Sequence, residues 1–170
     1  MADNSNITPV AALKADIPHY PTPLASAFAA LLPALDSHIE AERDIEDVDI
    51  WNPAFRAWLT DAEVAFEAVT TNLFTVLATD VIAEDDKPLK RMAMLIEAMI
   101  GSEEPEMYMH LYGLLPRFEH LFHCNGSGPA AQERTLMLTQ ARSQIDTMAT
   151  LLTYDGEVAI EQTVEVMTLG

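Results

Sequence analysis

The sequence predicts an all-α fold, an antiparallel helical bundle of about five helices with one long central helix and a flexible N-terminal arm. Three observations carry that reading. Apolar side chains recur at steps of three and four along five separate stretches, the spacing of one helix face. Proline or a capping residue opens several of these stretches, and glycine follows three of them, at Gly101, Gly126 and Gly156. Strand-like alternation is confined to the last fourteen residues, which leaves a strand there nothing to pair with. At 170 residues the chain is long enough for one domain with a real core. Residues 1–21 are expected to form the arm and 22–170 the helical domain.

The arm is punctuated by Pro9, Pro18 and Pro21, each of which disfavours helix at the residue before it. Thr22 followed by Pro23 is a helix start, a hydroxyl cap with proline pre-set at the first helical position. Leu24, Phe28, Leu31, Leu32, Leu35 and Ile39 then give a helix to about Arg43, with Pro33 expected to kink or divide it. Glu40–Asp49 holds six acids and one base and reads as a solvated helix end and linker. Asp47 and Asp49 alternate there, but no glycine follows, so a calcium loop is not indicated.

Asn52-Pro53 opens the clearest element. Phe55, Leu59, Ala62, Phe66, Val69, Leu73 and Val76 form a heptad-like seam, widened by Trp58, Ala65 and Leu77, on a long helix to about Asp80. Lys87-Pro88 starts a shorter helix with Leu89, Met92, Ile96 and Met99 inward, closed by Gly101. Ser102 is placed to cap a fourth, with Tyr108, Leu111, Leu115, Phe118 and Phe122 as its stripe and a kink at Gly113 and Pro116. After the break Asn125–Pro129, a fifth helix carries Leu136, Met137, Ala141, Ile145, Met148 and Leu152. The tail Glu157–Gly170 is assigned to helix through Ile160, Val164 and Met167.

Composition narrows function more than it assigns it. Acids outnumber bases 27 to 9, a formal charge of −18, which argues against a direct nucleic-acid partner because backbone binding needs clustered Lys and Arg. A single cysteine, Cys124, excludes an intramolecular disulfide and any multi-cysteine metal site. No signal-like leader or membrane-length apolar run is present, so a cytoplasmic protein with no membrane partner is expected.

The metal-ligand types gather only at Glu119, His120, His123 and Cys124. On a helix, Glu119 and His123 share one face and His120 and Cys124 another, about 100° apart, so one ion could not easily use all four without the helix unwinding. Glu119, His120 and His123 are therefore metal candidates of a weak kind. His38-x-x-x-Glu42 and Glu106-x-x-x-His110 also resemble fragments of helical metal sites, though such pairs are ordinary surface contacts. Cys124 near His120 or His123 would need an electropositive setting to react, and a helix C-terminus supplies the opposite. No serine elbow or phosphate loop occurs, so no catalytic residue and no cofactor are assigned.

Methionine is the other concentration. Met92, Met94, Met99, Met107 and Met109 cluster around Gly101 with Tyr108 and Tyr112, and neither Met92 with Met94 nor Met107 with Met109 can share one core face. These seven residues are the candidate interaction surface. Residues 36–86 carry 14 acids and only Arg43 and Arg56 as bases, followed by the basic knot Lys87, Lys90 and Arg91.

The stretch Trp51–Ile100, with an acidic Trp-containing helix, the linker Asp86-Lys87-Pro88-Leu89-Lys90-Arg91 and then Leu95, resembles small all-helical proteins of proteobacterial prophages and mobile elements. The resemblance implies a helical fold and a phage-like context and carries over no functional residue. The expectation is a non-enzymatic interaction or regulatory protein that binds a protein partner, self-associating as a homodimer. Its alternatives are an acidic nucleic-acid-mimicking inhibitor of a DNA-binding protein and a metal-binding helical bundle.

Overall fold

The computed structural model describes residues 21–154, apart from positions 47, 50, 103 and 105. The expected arm, except for its last residue, and the expected tail helix lie outside the described residues. Within them the protein is an all-α bundle of five helices: α1 (Pro23–Glu46), α2 (Phe55–Ala78), α3 (Lys87–Ile100), α4 (Met107–Phe118) and α5 (Pro129–Met148). Single 3₁₀ turns at Glu84–Asp86, Glu119–Phe122 and Leu152–Tyr154 flank α3, α4 and α5. No helix among the described residues is long and apolar enough to cross a membrane.

Helix α1 starts as its sequence dictates. The Thr22 hydroxyl oxygen accepts the Ala25 N–H at 3.2 Å, satisfying one of the amides that a helix start leaves without an internal partner. Pro33 does not divide the helix, which runs unbroken for 24 residues with Pro33 on its exposed side. Helix α2 begins two residues later than the Asn52-Pro53 signal, because Asn52 closes a turn by accepting the Ala54 N–H. Its C-terminus is capped from outside. Lys90 Nζ donates to the carbonyls of Val76, Leu77 and Thr79 at 3.0, 2.5 and 2.7 Å, placing a cation at the negative end of the helix dipole.

Cross-helix contacts give the direction of each element. His38 meets Phe66, so α2 runs back along α1; Lys90 at the start of α3 meets the end of α2, so α3 runs back along α2. Tyr108, early in α4, donates to the Ile145 carbonyl late in α5, and Arg91 reaches Leu121 just past the end of α4. Consecutive helices are therefore antiparallel. The first and last lie side by side and parallel, with Arg134 bonded to Thr22, Gln144 to Leu32 and Leu152 to Glu46.

The expected long helix is present as α2, but α1 equals it in length and supplies more of the core, nine buried residues against five. The seam on α2 is buried at Ala62, Val69, Leu73 and Val76, whereas Leu59 and Phe66 remain exposed. Two further expectations are corrected. The fourth helix starts at Met107 instead of Ser102, whose hydroxyl oxygen accepts the Glu104 N–H in a local turn. On α5, Leu136 points to solvent, Leu152 lies exposed in the following 3₁₀ turn, and the buried stripe is Ala131, Arg134, Leu138, Ala141, Gln144, Ile145 and Met148. That stripe is also spaced by threes and fours, but its second member is an arginine, which hid it.

Candidate functional site

Three places bring chemistry-bearing or unpaired groups together. The first is a cavity of about 510 Å³ between α3, α4 and α5. Met92, Phe122 and Leu138 give it an apolar lining, and Glu119, His123 and Arg142 supply its charged and ring-nitrogen groups. The sequence candidates Glu119, His123 and Cys124 thus share one cavity, but through a different geometry from the one expected. Pro116 lacks the N–H that would continue the helix ladder, and α4 gives way to the 3₁₀ turn Glu119–Phe122, with His123 in extended backbone. Regular helical spacing is therefore lost over this stretch; Glu119, His120 and His123 are all exposed, and of the three Glu119 and His123 line the cavity. Among the described residues no three His, Cys, Asp or Glu side chains are grouped to hold a metal ion.

Cys124 is half-buried and donates to the Asp85 carbonyl at 3.5 Å. Burial, and then the Asp85 carboxylate, push its thiol above the usual cysteine range. That is the reverse of the electropositive setting that activates a thiolate. Of the expected methionine and tyrosine surface, Met92, Met99 and Tyr108 are core residues, Met107 and Tyr112 are half-buried, and only Met94 and Met109 are exposed. The alternation between neighbours is the one helix geometry requires.

The second place is a ladder of polar contacts along α1. His38, Glu42 and Glu46, each one helical turn apart, engage Tyr154, Thr153 and Leu152 in turn. His38 Nε2 and the Tyr154 hydroxyl are 2.6 Å apart, the Thr153 hydroxyl donates to Glu42, and the Leu152 N–H donates to Glu46 Oε1 at 2.6 Å. The Tyr154 ring lies 4.4 Å from that of Tyr108. Burial pushes the His38 pKa below its ordinary value, opposed by the nearby Glu42 carboxylate, and raises both tyrosines. His38 and Tyr154 also line a smaller cavity of about 240 Å³. Sequence reasoning found the His38–Glu42 spacing but had no signal for its partners, which lie more than a hundred residues away.

The third place is the end of the α1–α2 pair. Phe66 lines the small cavity with Met99 and Ile100, so α3 stops level with the middle of α2. At 1.5 Å per residue, the 24 residues of α2 outreach the 14 of α3 by about 15 Å. The first turns of α2 thus extend past α3 beside the last turns of α1, which also carry the Leu152–Tyr154 contacts, and form with them a prong. Trp51, Leu59 and Val64, three of the twelve exposed large apolar side chains among the described residues, lie at this end, while Phe74, Val81 and Ile82 lie toward the other end of α2. A groove of about 420 Å³ runs along the prong, with Glu40, Asp44 and Asp61 beside Trp58 and Val64.

No family model matches the chain, and no curated protein or solved structure matches it.

Proposed function

We propose that this is a non-enzymatic interaction protein that acts by presenting its α1–α2 prong to a basic, partly apolar segment of another protein. The observation that supports this reading is the overhang of α2 past α3. Among the described residues it leaves Leu59 exposed, next to a groove where Trp58 and Val64 sit among three carboxylates. Exposed apolar surface grouped in this way is a feature of binding faces. Charge chooses between partners. Residues 40–67 contain nine acids and two bases, so two prongs of this chain would bring fourteen net negative charges together, whereas Lys or Arg on a partner would be attracted and steered.

The test is a nuclear magnetic resonance titration with a synthetic amphipathic Leu/Lys helical peptide, at low and high salt. The expected shifts centre on Trp58, Leu59 and Asp61, weaken at high salt, and are lost in Leu59→Lys. Shifts spread evenly over the acidic surface would overturn the proposal. So would a concentration-dependent dimer in sedimentation equilibrium that tightens with salt and is broken by Leu59→Lys, which would assign the prong to a second copy.

A further inference from the structure

The cavity between α3, α4 and α5 is distinct from the prong and has features of a built small-molecule site. Its floor is rigid core: Met92 is 2 % exposed and Leu138 5 %. The wall formed by residues 119–124 is pinned from two sides. Arg91 Nη1 donates to the Leu121 carbonyl at 3.2 Å, and Cys124 Sγ donates to the Asp85 carbonyl at 3.5 Å. Just beyond, Gly126 approaches α5 and Asp85 so closely that an added Cβ would lie 2.8 Å from the Ala131 Cβ. The cavity is therefore preformed, and its volume of about 510 Å³ falls in the range that takes small organic ligands.

The polar groups select the ligand's head. Thr135 and Thr139 already donate their hydroxyl protons to helix carbonyls, at 2.7 and 2.8 Å to Ala131 and Thr135. Arg142 supplies the cation. Its Nε is bonded to Asp146 at 3.0 Å and its guanidinium lies over the Tyr112 ring, 5.7 Å from the centroid, so the plane of the fork is held from two directions. With Asp146 bonded at Nε, the Nη1–Nη2 edge of a guanidinium is the one whose geometry matches the two oxygens of a carboxylate. Glu119 disfavours a second anionic group elsewhere in the cavity.

From this geometry we infer that the cavity binds a small monocarboxylate with an apolar body, its head on Arg142 and its body against Met92, Phe122 and Leu138. The body displaces water from an apolar floor, and the single charge meets the cation of the lining. In a chain with 27 acids and 9 bases, nonspecific attraction would not draw an anion, so saturable binding of one reports a specific site.

The experiment compares octanoate with 1-octanol, binding to the full chain by calorimetry and by the methyl resonance of Met92. Octanoate is expected to bind one to one, to shift Met92, and to bind at least about 10-fold more tightly than octanol, the scale of a charge-assisted double hydrogen bond. Arg142→Gln should remove that advantage while leaving octanol unchanged. Thr139→Trp, an exposed position at the cavity, should block both ligands and leave the circular dichroism spectrum intact. No octanoate binding at millimolar concentration would overturn the inference, as would equal affinity for octanol or octanoate affinity unmoved by Arg142→Gln. Thr139→Trp leaves the prong untouched, so the peptide titration and this experiment succeed or fail independently.

Discussion

Removing the Asp86 carboxylate is the sharpest single perturbation the fold offers. Asp86 Oδ1 lies 3.0 Å from Arg134 Nε, with the side chains 0 % and 1 % exposed. Arg134 also donates through Nη2 to the Thr22 hydroxyl at 3.1 Å and through Nη1 to Glu133 at 2.7 Å. One guanidinium thus ties together the starts of α1, α3 and α5. Breaking a buried pair from one side strands the other charge, at a cost of about 3–5 kcal/mol. Arg134 keeps Glu133, so the lower end applies, and Asp86→Ala is expected to cost about 3 kcal/mol. That corresponds to a melting temperature lower by roughly 6–12 °C for a domain of this size. The pair itself need not be worth that much. Asp86→Leu combined with Arg134→Met removes both charges and should cost less than either change alone. Urea unfolding followed by far-UV circular dichroism, with an unchanged denaturant slope, measures all the variants. A loss below about 1 kcal/mol for Asp86→Ala would refute the reasoning, as would additive losses in the double variant.

Three more outcomes follow from the same geometry. Lys90→Met removes the donor to three α2 carbonyls and should cost about 2 kcal/mol, with hydrogen exchange at the end of α2 accelerating before that of the core. Tyr154→Phe leaves His38 Nε2 buried without its partner and should cost about 1–3 kcal/mol in urea unfolding, while Thr153→Val tests the neighbouring rung of the ladder. The depressed His38 pKa carries a sign. The unfolded imidazole takes up its proton near pH 6.5 and the folded one only at lower pH, so this stability is complete above about 6.5 and is lost as pH falls through the folded value. His38→Gln should flatten that part of the stability profile, and an unaltered profile would remove His38 as its cause.

The bundle was legible because most of its determinants are local. Thr22-Pro23 and Lys87-Pro88 open helices where expected, and the period of α1 and α3 marks their buried faces correctly. Errors arose where a long-range contact overrode a local rule. The α5 stripe was misplaced because Arg134 and Gln144 occupy core positions, tolerable only because Asp86, Thr22, Leu32 and Asp36 supply partners from distant parts of the chain. Polar residues are normally evidence against a buried face, and nothing in α5 itself announces that these are paired. Arg134 does stand in step with Ala131, Leu138, Ala141 and Ile145, and that register was the available signal.

The candidate sites divide along the same line. Glu119, His123 and Cys124 drew attention as metal-ligand types, and the fold does gather them, but in a cavity whose cation comes from Arg142 on another helix. Residue type marked side chains that share one cavity, while a ligand set depends on directions that change where α4 gives way to the 3₁₀ turn Glu119–Phe122. The prong arises differently, from a comparison of lengths. A seam of seven apolar positions on α2 needs a neighbour along its whole course, and α3, the next helix, is ten residues shorter. Past the end of α3 the seam leaves Leu59 exposed among the described residues, in a stretch, residues 40–67, that holds nine acids and two bases. Two helix lengths and one charge count thus support the proposed basic partner at that end of the molecule once the direction of α3 is known.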